Sequence, residues 1–579
     1  MPLLTESDLP DLVAPALAGS LHVVMWGVYE AAALAEWQAM LPIAAYVDTE
    51  RAGQVYRGKV IQSPAVLERM DPAATVVMFN YAYTRRFPEY AAVMDRLGLR
   101  YFAPTPMALA CGIGGAAADD IALGRTASPL VRTGPPASRW ERLAARLPAW
   151  RERRPDESGQ RRGIALALVR LEVGGAERQM GALAAGLARH GLHSTLATLY
   201  PAPPEARAYA EGLAAAGIAL ALPEGTESPE HRHAAVIAAG ADVAIPLWHL
   251  PPHMAWQTFQ FYRLFQALRP EAVVCYLDQP NVLAGLGAVL ADVPRVLLSG
   301  RNLNPTHFPH FFGGQCPDLR RAYQLLLACR GVRMSANSQV GARSYAEWLD
   351  LPPEAVTVIP NAVATWATDG PPRPRPAGLP RLLGLFRLSP EKRPLDFVET
   401  VARVLTTVPD LHATLCGDGS MREAMAARIS ELGLSERIDL TGVVDDVGAR
   451  LAGAHLLLHT AEAEGTPNVI LEAQALGVPV VASRSAGALD TLAPGLRPFT
   501  AEVGDCDGLA AAVRSLLGDP AKADALGLAA AAHVRRTYST ERLVEETLDA
   551  LSVPAAAGPI DVGVNSECTG SFKRDKMPF

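Results

Sequence analysis

Short apolar runs alternate with stretches of helical periodicity along most of the chain. The first runs are LHVVMW at 21–26, IAAYVD ending at Asp48, TVVMF at 75–79 and LRYFAP at 99–104. Buried parallel strands are short continuous apolar runs, and the connections between them are usually helices, so this pattern predicts a parallel sheet covered on both faces. Residues 1–112 are therefore predicted to form a small α/β domain.

Two further alternating series follow. One runs from GIALALV, just after Arg161, to VTVIPNAV at 356–363, and the other begins with LLGLF after the proline-rich segment DGPPRPRPAGLPR. We predict two doubly wound domains, residues 161–368 and 378–552, that face a cleft. Open α/β sheets bind ligands beyond the carboxyl ends of their strands, so the cleft is the expected site. All three predicted domains are Rossmann-like.

The segment between the first two domains, residues 113–160, is rich in Gly, Ala, Arg and Pro and is predicted to be a basic linker. Part of it has helical spacing of apolar residues beside several arginines. Such a helix could lie on an anionic membrane surface or pack on a neighbouring domain, and the sequence leaves both interpretations open. The apolar residues are Trp140, Leu143, Leu147 and Trp150.

Composition narrows the class of protein. The chain has 579 residues, of which 49% are hydrophobic and 20% charged, so most of it should fold, although the tail at 553–579 lacks periodicity and is predicted to be disordered. The net charge of −7 does not favour nucleic acid as a partner. The seven cysteines lack zinc-site spacing, and neither a signal peptide nor a bilayer-spanning run is found. We expect a cytoplasmic protein with reduced thiols.

The most informative segment is EGTPNVILE at 464–472, which follows the apolar run AHLLLHT. Its Gly and Pro suit a tight turn that opens a helix near Pro467. The N-terminus of such a helix directs unpaired backbone N–H groups and a positive dipole end at the cleft, which suits a phosphate. Glu464 lies before the helix and Glu472 about one and a half turns into it, so both carboxylates are expected to reach the cleft.

Together with other segments, this one resembles the retaining GT-B glycosyltransferases of family 4 (glycosyltransferase group 1). The resemblance covers residues 161–552, and it rests on two glutamates separated by seven residues around a Gly-x-Pro-Asn turn, followed by Gly-Val-Pro. It implies a GT-B fold whose final helices pack back on the amino-terminal domain. The other matching segments, in family order, are GGAER (174–178), ANS (336–338), IPNA (359–362), LFRLSPEK (385–392) and CGDG (416–419).

The resemblance implies roles for individual residues. Arg387 and Lys392 would neutralise the donor diphosphate, because the leaving nucleoside diphosphate gains charge as the glycosidic bond breaks. Glu472 would accept hydrogen bonds from the ribose hydroxyls, and Glu464 would contact the donor sugar. At two glycines the main chain would approach the donor closely, since a Cβ would hold it off. The remaining donor-binding positions are Gly465, Thr466, Pro467, Asn468, Val469, Gly174 and Gly175.

The implied activity is transfer of a sugar, with retention, from a nucleotide diphosphate sugar to a glycan or lipid-linked acceptor in surface polysaccharide biosynthesis. The family is expected to need neither a metal nor a cofactor. Two positions depart from its pattern: Phe386 replaces the usual glycine before the phosphate-binding arginine, and Asp490 stands where a glutamate is common. These departures leave open the alternative of a nucleotide-sugar-binding or scaffolding protein that has lost catalysis.

Two further expectations concern less specific residues. His307 is the best candidate for the histidine that many relatives carry near the sugar, although a lone histidine in a loop is more often a solvated side chain. In the N-terminal domain, Gly27 ends an apolar run and Asp48 lies about 20 residues on, where a ribose-binding acid would sit. That domain could bind a nucleotide or redox cofactor, or it could be a non-catalytic module.

Overall fold

The computed structural model describes three long stretches of the chain, residues 161–223, 252–312 and 315–552. Nearer the N-terminus it describes 3–4, 18–27, 43–49, 51–56, 58–79 and 87–102, with single positions elsewhere. The chain divides into two compact units. The first comprises Met1–Pro155, Pro223–Arg263 and Ala328–Arg330, and the second comprises Asp156–Leu222, Leu264–Leu327 and Gly331–Phe579.

The first unit contains a five-stranded sheet in which every pairing is parallel, as the apolar runs predict. The order is β1-β7-β6-β2-β3, and a separate antiparallel hairpin is formed by β4 and β5. Trp26, Phe79 and Tyr90 stack in its core. The elements are β1 (Leu3–Leu4), β2 (His22–Trp26), β3 (Ile43–Val47), β4 (Val55–Tyr56), β5 (Lys59–Val60), β6 (Thr75–Phe79), α1 (Phe87–Leu97) and β7 (Arg100–Phe102).

Gly27 and Asp48 lie at the carboxyl ends of neighbouring strands in this sheet. Gly27 has φ of 95°, a conformation that favours glycine. The Asp48 side chain is fully buried, and its Oδ1 accepts a hydrogen bond from the backbone N–H of Arg51 at 3.1 Å. Asp48 therefore stabilises the turn that follows β3. A nucleotide-binding role for this sheet remains a prediction.

Two apolar residues of the predicted basic helix are described, and both are buried. Leu143 and Leu147 are each 1% exposed, which favours a helix packed on protein over one whose apolar face lies on a membrane. The rest of the linker at 113–160, including Trp140 and Trp150, and the tail at 553–579 lie outside the described residues.

The second unit contains two parallel sheets, each flanked by helices, which confirms the predicted α/β fold of this part. We call the part built on the first sheet the amino half. Its strand order is β10-β9-β8-β11-β12-β13-β14. The elements are β8 (Ile164–Arg170), α2 (Gly175–Arg189), β9 (Ser194–Tyr200), α3 (Arg207–Ala215), β10 (Ala219–Ala221), α4 (Pro252–Leu268, which contributes to both units), β11 (Ala272–Tyr276), α5 (Asp278–Leu290), β12 (Arg295–Gly300), α6 (Pro309–Phe312), α7 (Cys316–Leu327), β13 (Val332–Ala336), α8 (Gln339–Leu349) and β14 (Val356–Val358).

We call the part built on the second sheet the carboxy half. Its strand order is β17-β16-β15-β18-β19-β20. The elements are α9 (Thr365–Thr368), β15 (Arg381–Leu385), α10 (Pro394–Leu405), β16 (His412–Cys416), α11 (Arg422–Glu431), β17 (Ile438–Gly442), α12 (Val447–Gly453), β18 (Leu456–His459), α13 (Asn468–Ala475), β19 (Val480–Ser483), α14 (Ala486–Thr491), β20 (Thr500–Ala501), α15 (Cys506–Gly518), α16 (Pro520–Thr537) and α17 (Thr540–Leu551).

The last helix of the carboxy half packs on the amino half. Apolar residues of α17, among them Leu543, Val544 and Leu548, are buried in the same cluster as Leu183 and Leu187 of α2. Gly186 allows the close approach, because a Cβ there would lie 2.5 Å from Val544 Cγ2. The chain therefore joins the two halves twice, once through the segment after β14 and once through this helix.

No helix in the described part of the chain is long and apolar enough to cross a membrane. The five described cysteines are free thiols, and Cys111 and Cys568 lie outside the described residues.

Candidate active site

The segment with the two glutamates forms a turn between a buried strand and a helix. Strand β18 ends at His459, and α13 begins at Asn468, one residue after the predicted Pro467. Pro467 precedes the helix with φ of −69°, the value that its ring imposes. The first helical N–H groups, those of Asn468 and Val469, have no acceptor within the helix and are available to a ligand.

Glu464 is held by two basic side chains. Its carboxylate forms an ion pair with Lys392, and its Oε1 lies 3.3 Å from Nε2 of the buried His459. Burial alone would raise the pKa of Glu464, but Lys392 and His459 outweigh it and lower the pKa to about 2. Glu464 therefore carries a negative charge at neutral pH in a nearly enclosed position, where a charged acceptor forms strong hydrogen bonds.

The contacts of Glu464 with Lys392 and His459 should make the free energy of unfolding depend on pH in the acid range. The charge on Glu464 stabilises the folded state at pH values above its ordinary pKa of 4.5, and that contribution is lost as the pH falls towards about 2. We expect Glu464→Gln to lower the free energy of unfolding at pH 6 by up to roughly 3 kcal/mol. The difference from wild type should shrink between pH 4.5 and pH 2.5, as measured by thermal melting.

Glu541→Gln is the matched control, because Glu541 is 61% exposed and its contact with Arg189 is 3.6 Å long. Its melting temperature should follow that of wild type at every pH, since exposed ion pairs contribute little. A Glu464→Gln difference that is the same at pH 6 and pH 2.5 would contradict the proposed charge on Glu464.

Glu472 is buried in α13, and only one of its two carboxylate oxygens is hydrogen-bonded to a described residue. Its Oε1 accepts a hydrogen bond from Nη1 of Arg178 at 2.8 Å, and the residue is 3% exposed. Its Oε2 is buried and has no hydrogen-bond partner among the described residues. Leaving a charged oxygen buried and unpaired is costly, so this atom is positioned to accept a hydrogen bond from a ligand.

The amino half holds the turn at 465–468 in place. The Thr466 hydroxyl donates to the carbonyl of Asn337, and Asn361 Nδ2 donates both to the Thr466 carbonyl at 3.1 Å and to Asn468 Oδ1 at 2.6 Å. Gln179 donates to the same Asn468 oxygen at 3.3 Å. Thr466 and Asn468, predicted as donor-binding positions, thus use their side chains to fix the turn, and the ANS and IPNA motifs supply the partners.

Two glycines, Gly465 and Gly175, allow this close contact between the halves, and Gly174 allows a close contact within the amino half. A Cβ on Gly465 would lie 2.4 Å from Asn337 Oδ1, and a Cβ on Gly175 would lie 2.8 Å from Asn468 Nδ2. At Gly174, the residue before α2, a Cβ would lie 2.2 Å from Glu177 Oε2. The close approach that the structure shows at Gly175 is to Asn468, and the approach of Gly174 and Gly175 to a donor stays a prediction.

The predicted phosphate-binding segment leaves β15 and ends in a short 3-10 helix, Pro390–Lys392. Arg387 is exposed, and its guanidinium lies 5.5 Å from the ring centre of Phe311 of the amino half. Lys392 is mostly buried at Glu464. Both cations thus project from the carboxyl end of β15, on the same sheet edge as Glu464.

The two departures from the family pattern are accommodated in the structure. The Phe386 side chain is buried in the carboxy-half core, edge-on to His459 at 5.8 Å, so it does not obstruct the segment that follows. The Phe386 carbonyl lies against Gly417, where a Cβ would be 2.0 Å away, which explains a glycine of the CGDG motif. Asp490 reaches the amino half, where its Oδ2 accepts from the backbone N–H of Val340 at 3.3 Å.

His307 does not join this constellation. It is exposed at the end of the 3-10 helix Pro305–His307, and no hydrogen bond or ion pair links its ring to the described residues around Glu464. Arg301, which directly follows β12, lies at the site instead: its carbonyl accepts a hydrogen bond from Asn337 Nδ2 at 2.9 Å. Sequence reasoning assigned no role to Arg301, Arg178 or His459. Arg301 and His459 lie at or just beyond the carboxyl end of a strand, and Arg178 lies in the first turn of the helix that follows β8.

The described part of the chain contains no group of three or more His, Cys, Asp and Glu side chains that could hold a metal ion. What the site does contain is two carboxylates, a lysine and several arginines at the carboxyl edges of two facing parallel sheets, beside the N-terminus of a helix. Groups of these kinds suit anions and hydroxyls, which doubly wound α/β proteins bind beyond the carboxyl ends of their strands.

Comparison with known proteins gives this architecture a name. The described halves have the GT-B glycosyltransferase fold, since HepE of Anabaena in complex with UDP and glucose superposes with a TM-score of 0.54 over 68% of this chain and 100% of that one, at 19% identity. Residues 173–366 match Glycosyltransferase Family 4, and residues 372–533 match Glycosyl transferases group 1. This part of the chain therefore belongs to the group 1 and family 4 glycosyltransferases.

Curated relatives are similar over shorter stretches. The chain is 29% identical over 268 residues to the Vi polysaccharide biosynthesis protein VipC/TviE of Salmonella typhi, covering 43% of each chain. It is 30% identical over 167 residues to the lipopolysaccharide core biosynthesis glycosyltransferase LpsE of Rhizobium meliloti (strain 1021), covering 28% of this chain and 48% of that one. The matched region thus spans less than half the length of these relatives.

Proposed function

We propose that this protein transfers a sugar, with retention of configuration, from a nucleotide diphosphate sugar to a glycan or lipid-linked acceptor in surface polysaccharide biosynthesis. The family match of residues 173–533 supports the reaction type. The names of two relatives, one in Vi polysaccharide and one in lipopolysaccharide core biosynthesis, support the class of product. The nucleotide-sugar donor is the substrate, and no further cofactor is proposed.

The observation that carries the proposal is the arrangement of the two glutamates. Glu472 offers one buried oxygen that has no partner among the described residues, which suits the hydroxyls of a ribose. Glu464 is a charged acceptor fixed by Lys392 and His459, which suits a hydroxyl of the donor sugar. Between them, the first turn of α13 directs its backbone N–H groups at the space where the diphosphate would lie.

Lys392 and Arg387 supply the positive charge that the leaving phosphate needs during the reaction. As the bond between the sugar and the diphosphate breaks, the bonding electron pair stays with the leaving phosphate oxygen. Lys392 and Arg387 stabilise that charge, and no metal is needed for it in this proposal. The acceptor hydroxyl attacks from the face that the leaving group departs from, and its proton passes to the leaving phosphate oxygen.

Incubating the full chain with UDP- and GDP-sugars and candidate acceptors, with and without EDTA, tests the proposal. We expect nucleoside diphosphate release that EDTA does not abolish, and NMR of the product should show the anomeric configuration of the donor. An inverted product would contradict retention, and loss of turnover in EDTA would contradict metal independence. Binding without turnover would favour the alternative of a nucleotide-sugar-binding or scaffolding protein.

The position of Glu464 depends on a glycine in the next helix, and this gives a further prediction. A Cβ on Gly487 would lie 2.2 Å from the carbonyl oxygens of both Glu464 and Gly465, so Gly487→Ala must displace the turn. A shift of about 1 Å in a catalytic group can cost about 100-fold in rate, and we expect that loss in kcat/KM. Gly453→Ala is the control, because no atom of the described residues lies within 4 Å of its Cβ position. Full activity of a folded Gly487→Ala variant would contradict this placement of Glu464.

A further inference from the structure

Arg301 is a positively charged residue at the candidate active site, and the proposed function gives it no role. Its guanidinium stacks over the Tyr276 ring, 3.9 Å from the ring centre. Its Nη1 donates to Ser299 Oγ at 3.2 Å, and its Nη2 donates to Asn361 Oδ1. The side chain is therefore fixed in one orientation by neutral groups on three sides.

No acidic side chain among the described residues neutralises this cation. Its Nε is buried and has no hydrogen-bond partner among the described residues, and burial lowers the pKa of the guanidinium. The nearby acids are engaged elsewhere, Glu464 with Lys392 and Glu472 with Arg178. Arg301 is partly buried, and desolvating a charge without an acidic partner is costly. An arginine remains protonated nevertheless, so the folded protein retains a positive charge that an anion would stabilise.

Arg301 lies next to the turn that carries Glu464. A Cβ on Gly465 would lie 3.0 Å from the Arg301 carbonyl, which shows how closely the two main chains approach. The Asn361 amide that accepts from Arg301 also donates to Thr466 and Asn468. A ligand anion that reaches Arg301 is thus within the same cleft as a sugar bound to Glu464.

We propose that Arg301 binds an anionic group of the donor substrate, either its diphosphate or a carboxylate on its sugar. A carboxylate is planar and a phosphate is tetrahedral, and a guanidinium can bind two oxygens of either group through two parallel hydrogen bonds. The inference rests on the proposed function, since it assumes that a nucleotide-sugar donor occupies this cleft. It adds a third cation, contributed by the amino half, to the Arg387 and Lys392 of the carboxy half.

Calorimetric titration of the full chain tests this, with UDP, UDP-glucose, UDP-glucuronate, GDP and GDP-mannose as probes. The variants are Arg301→Gln, which removes the charge, and Arg301→Lys, which keeps it without the planar fork. Arg333→Gln is the control: Arg333 bonds to the Ala550 carbonyl and lies on β13, near the opposite end of the strands. A hydrogen bond to a charged group corresponds to about tenfold or more in affinity, so Arg301→Gln should weaken binding at least tenfold, and Arg301→Lys by less.

The pattern of losses identifies the anion. Weaker binding of the free nucleoside diphosphate by Arg301→Gln would assign Arg301 to the diphosphate. Weaker binding of UDP-glucuronate alone would assign it to a sugar carboxylate. Unchanged affinities for every probe that wild type binds, in a variant with the wild-type melting temperature, would overturn the inference and leave the proposed function intact. If wild type binds none of the probes, the proposed function itself fails.

Discussion

The Lys392→Ala variant is expected to lose roughly 100- to 1000-fold in kcat for sugar transfer, the effect of removing one preorganised group that stabilises transition-state charge. Lys392 is mostly buried, lies at the carboxyl end of the sheet and is paired with Glu464, so water cannot easily replace it. Because the phosphate charge grows as the glycosidic bond breaks, the loss should fall mainly on kcat, with a smaller change in KM.

Lys522→Ala provides the control for this variant. Lys522 lies 5.1 Å from the ring centre of Phe499, outside the candidate site, and its removal should leave kcat unchanged. Steady-state kinetics with a nucleotide-sugar donor, together with a melting curve for each variant, measure both. Wild-type kcat in a folded Lys392→Ala variant would exclude Lys392 from the role proposed here.

The Glu472→Ala variant should lose at least about 100-fold in kcat/KM, with most of the loss in donor binding. Two hydrogen bonds from ribose hydroxyls to a carboxylate, each contributing roughly 1.5–3 kcal/mol, correspond to that factor. These bonds form when the donor binds and persist in the transition state, so the nucleoside diphosphate affinity should fall by a similar factor. The two roles are thus distinguished by kinetics: Lys392→Ala should mainly lower kcat, whereas Glu472→Ala should mainly weaken donor binding.

Arg178→Met separates this role from a structural one. Arg178 contacts Glu472 Oε1, whereas the unpaired oxygen is Oε2. If Glu472 serves only to hold Arg178, the Arg178→Met and Glu472→Ala variants should lose the same activity and stability. If Glu472 binds the ribose, Glu472→Ala should bind nucleoside diphosphate far more weakly than Arg178→Met.

Much of the fold could be predicted because its elements are encoded locally. The apolar runs at 21–26 and 75–79 contain β2 and β6, and the helix predicted near Pro467 begins at Asn468. Continuous apolar runs cannot show strand order, however, and the position of β8 between β9 and β11 follows from packing that no local pattern records.

The candidate site, like the fold, could be predicted from the sequence only in part. Glu464, Glu472 and Lys392 lie in segments whose spacing is distinctive, so the sequence indicated them, and the structure brings them to one sheet edge. The pairing of Arg178 with Glu472 joins residues 294 positions apart, and no local pattern indicates it. Arg301 was missed because its importance lies in what surrounds it, a partly buried position with no acidic side chain paired to it among the described residues.

Motifs without an assigned role became interpretable only through these long-range contacts. Asn337 and Asn361 hold the turn that carries Glu464, and Gly417 allows the close approach of Phe386. Substitutions at these positions should therefore act through the placement of the turn or of the phosphate-binding segment.

A crystal structure of the full chain with a bound nucleoside diphosphate tests the central claim most directly. We expect the ribose hydroxyls to lie within about 2.6–3.2 Å of Glu472 Oε2. The diphosphate should lie between the first turn of α13 and the side chains of Lys392 and Arg387. A nucleotide bound elsewhere in the chain, or one whose ribose leaves Glu472 Oε2 without a contact, would contradict it.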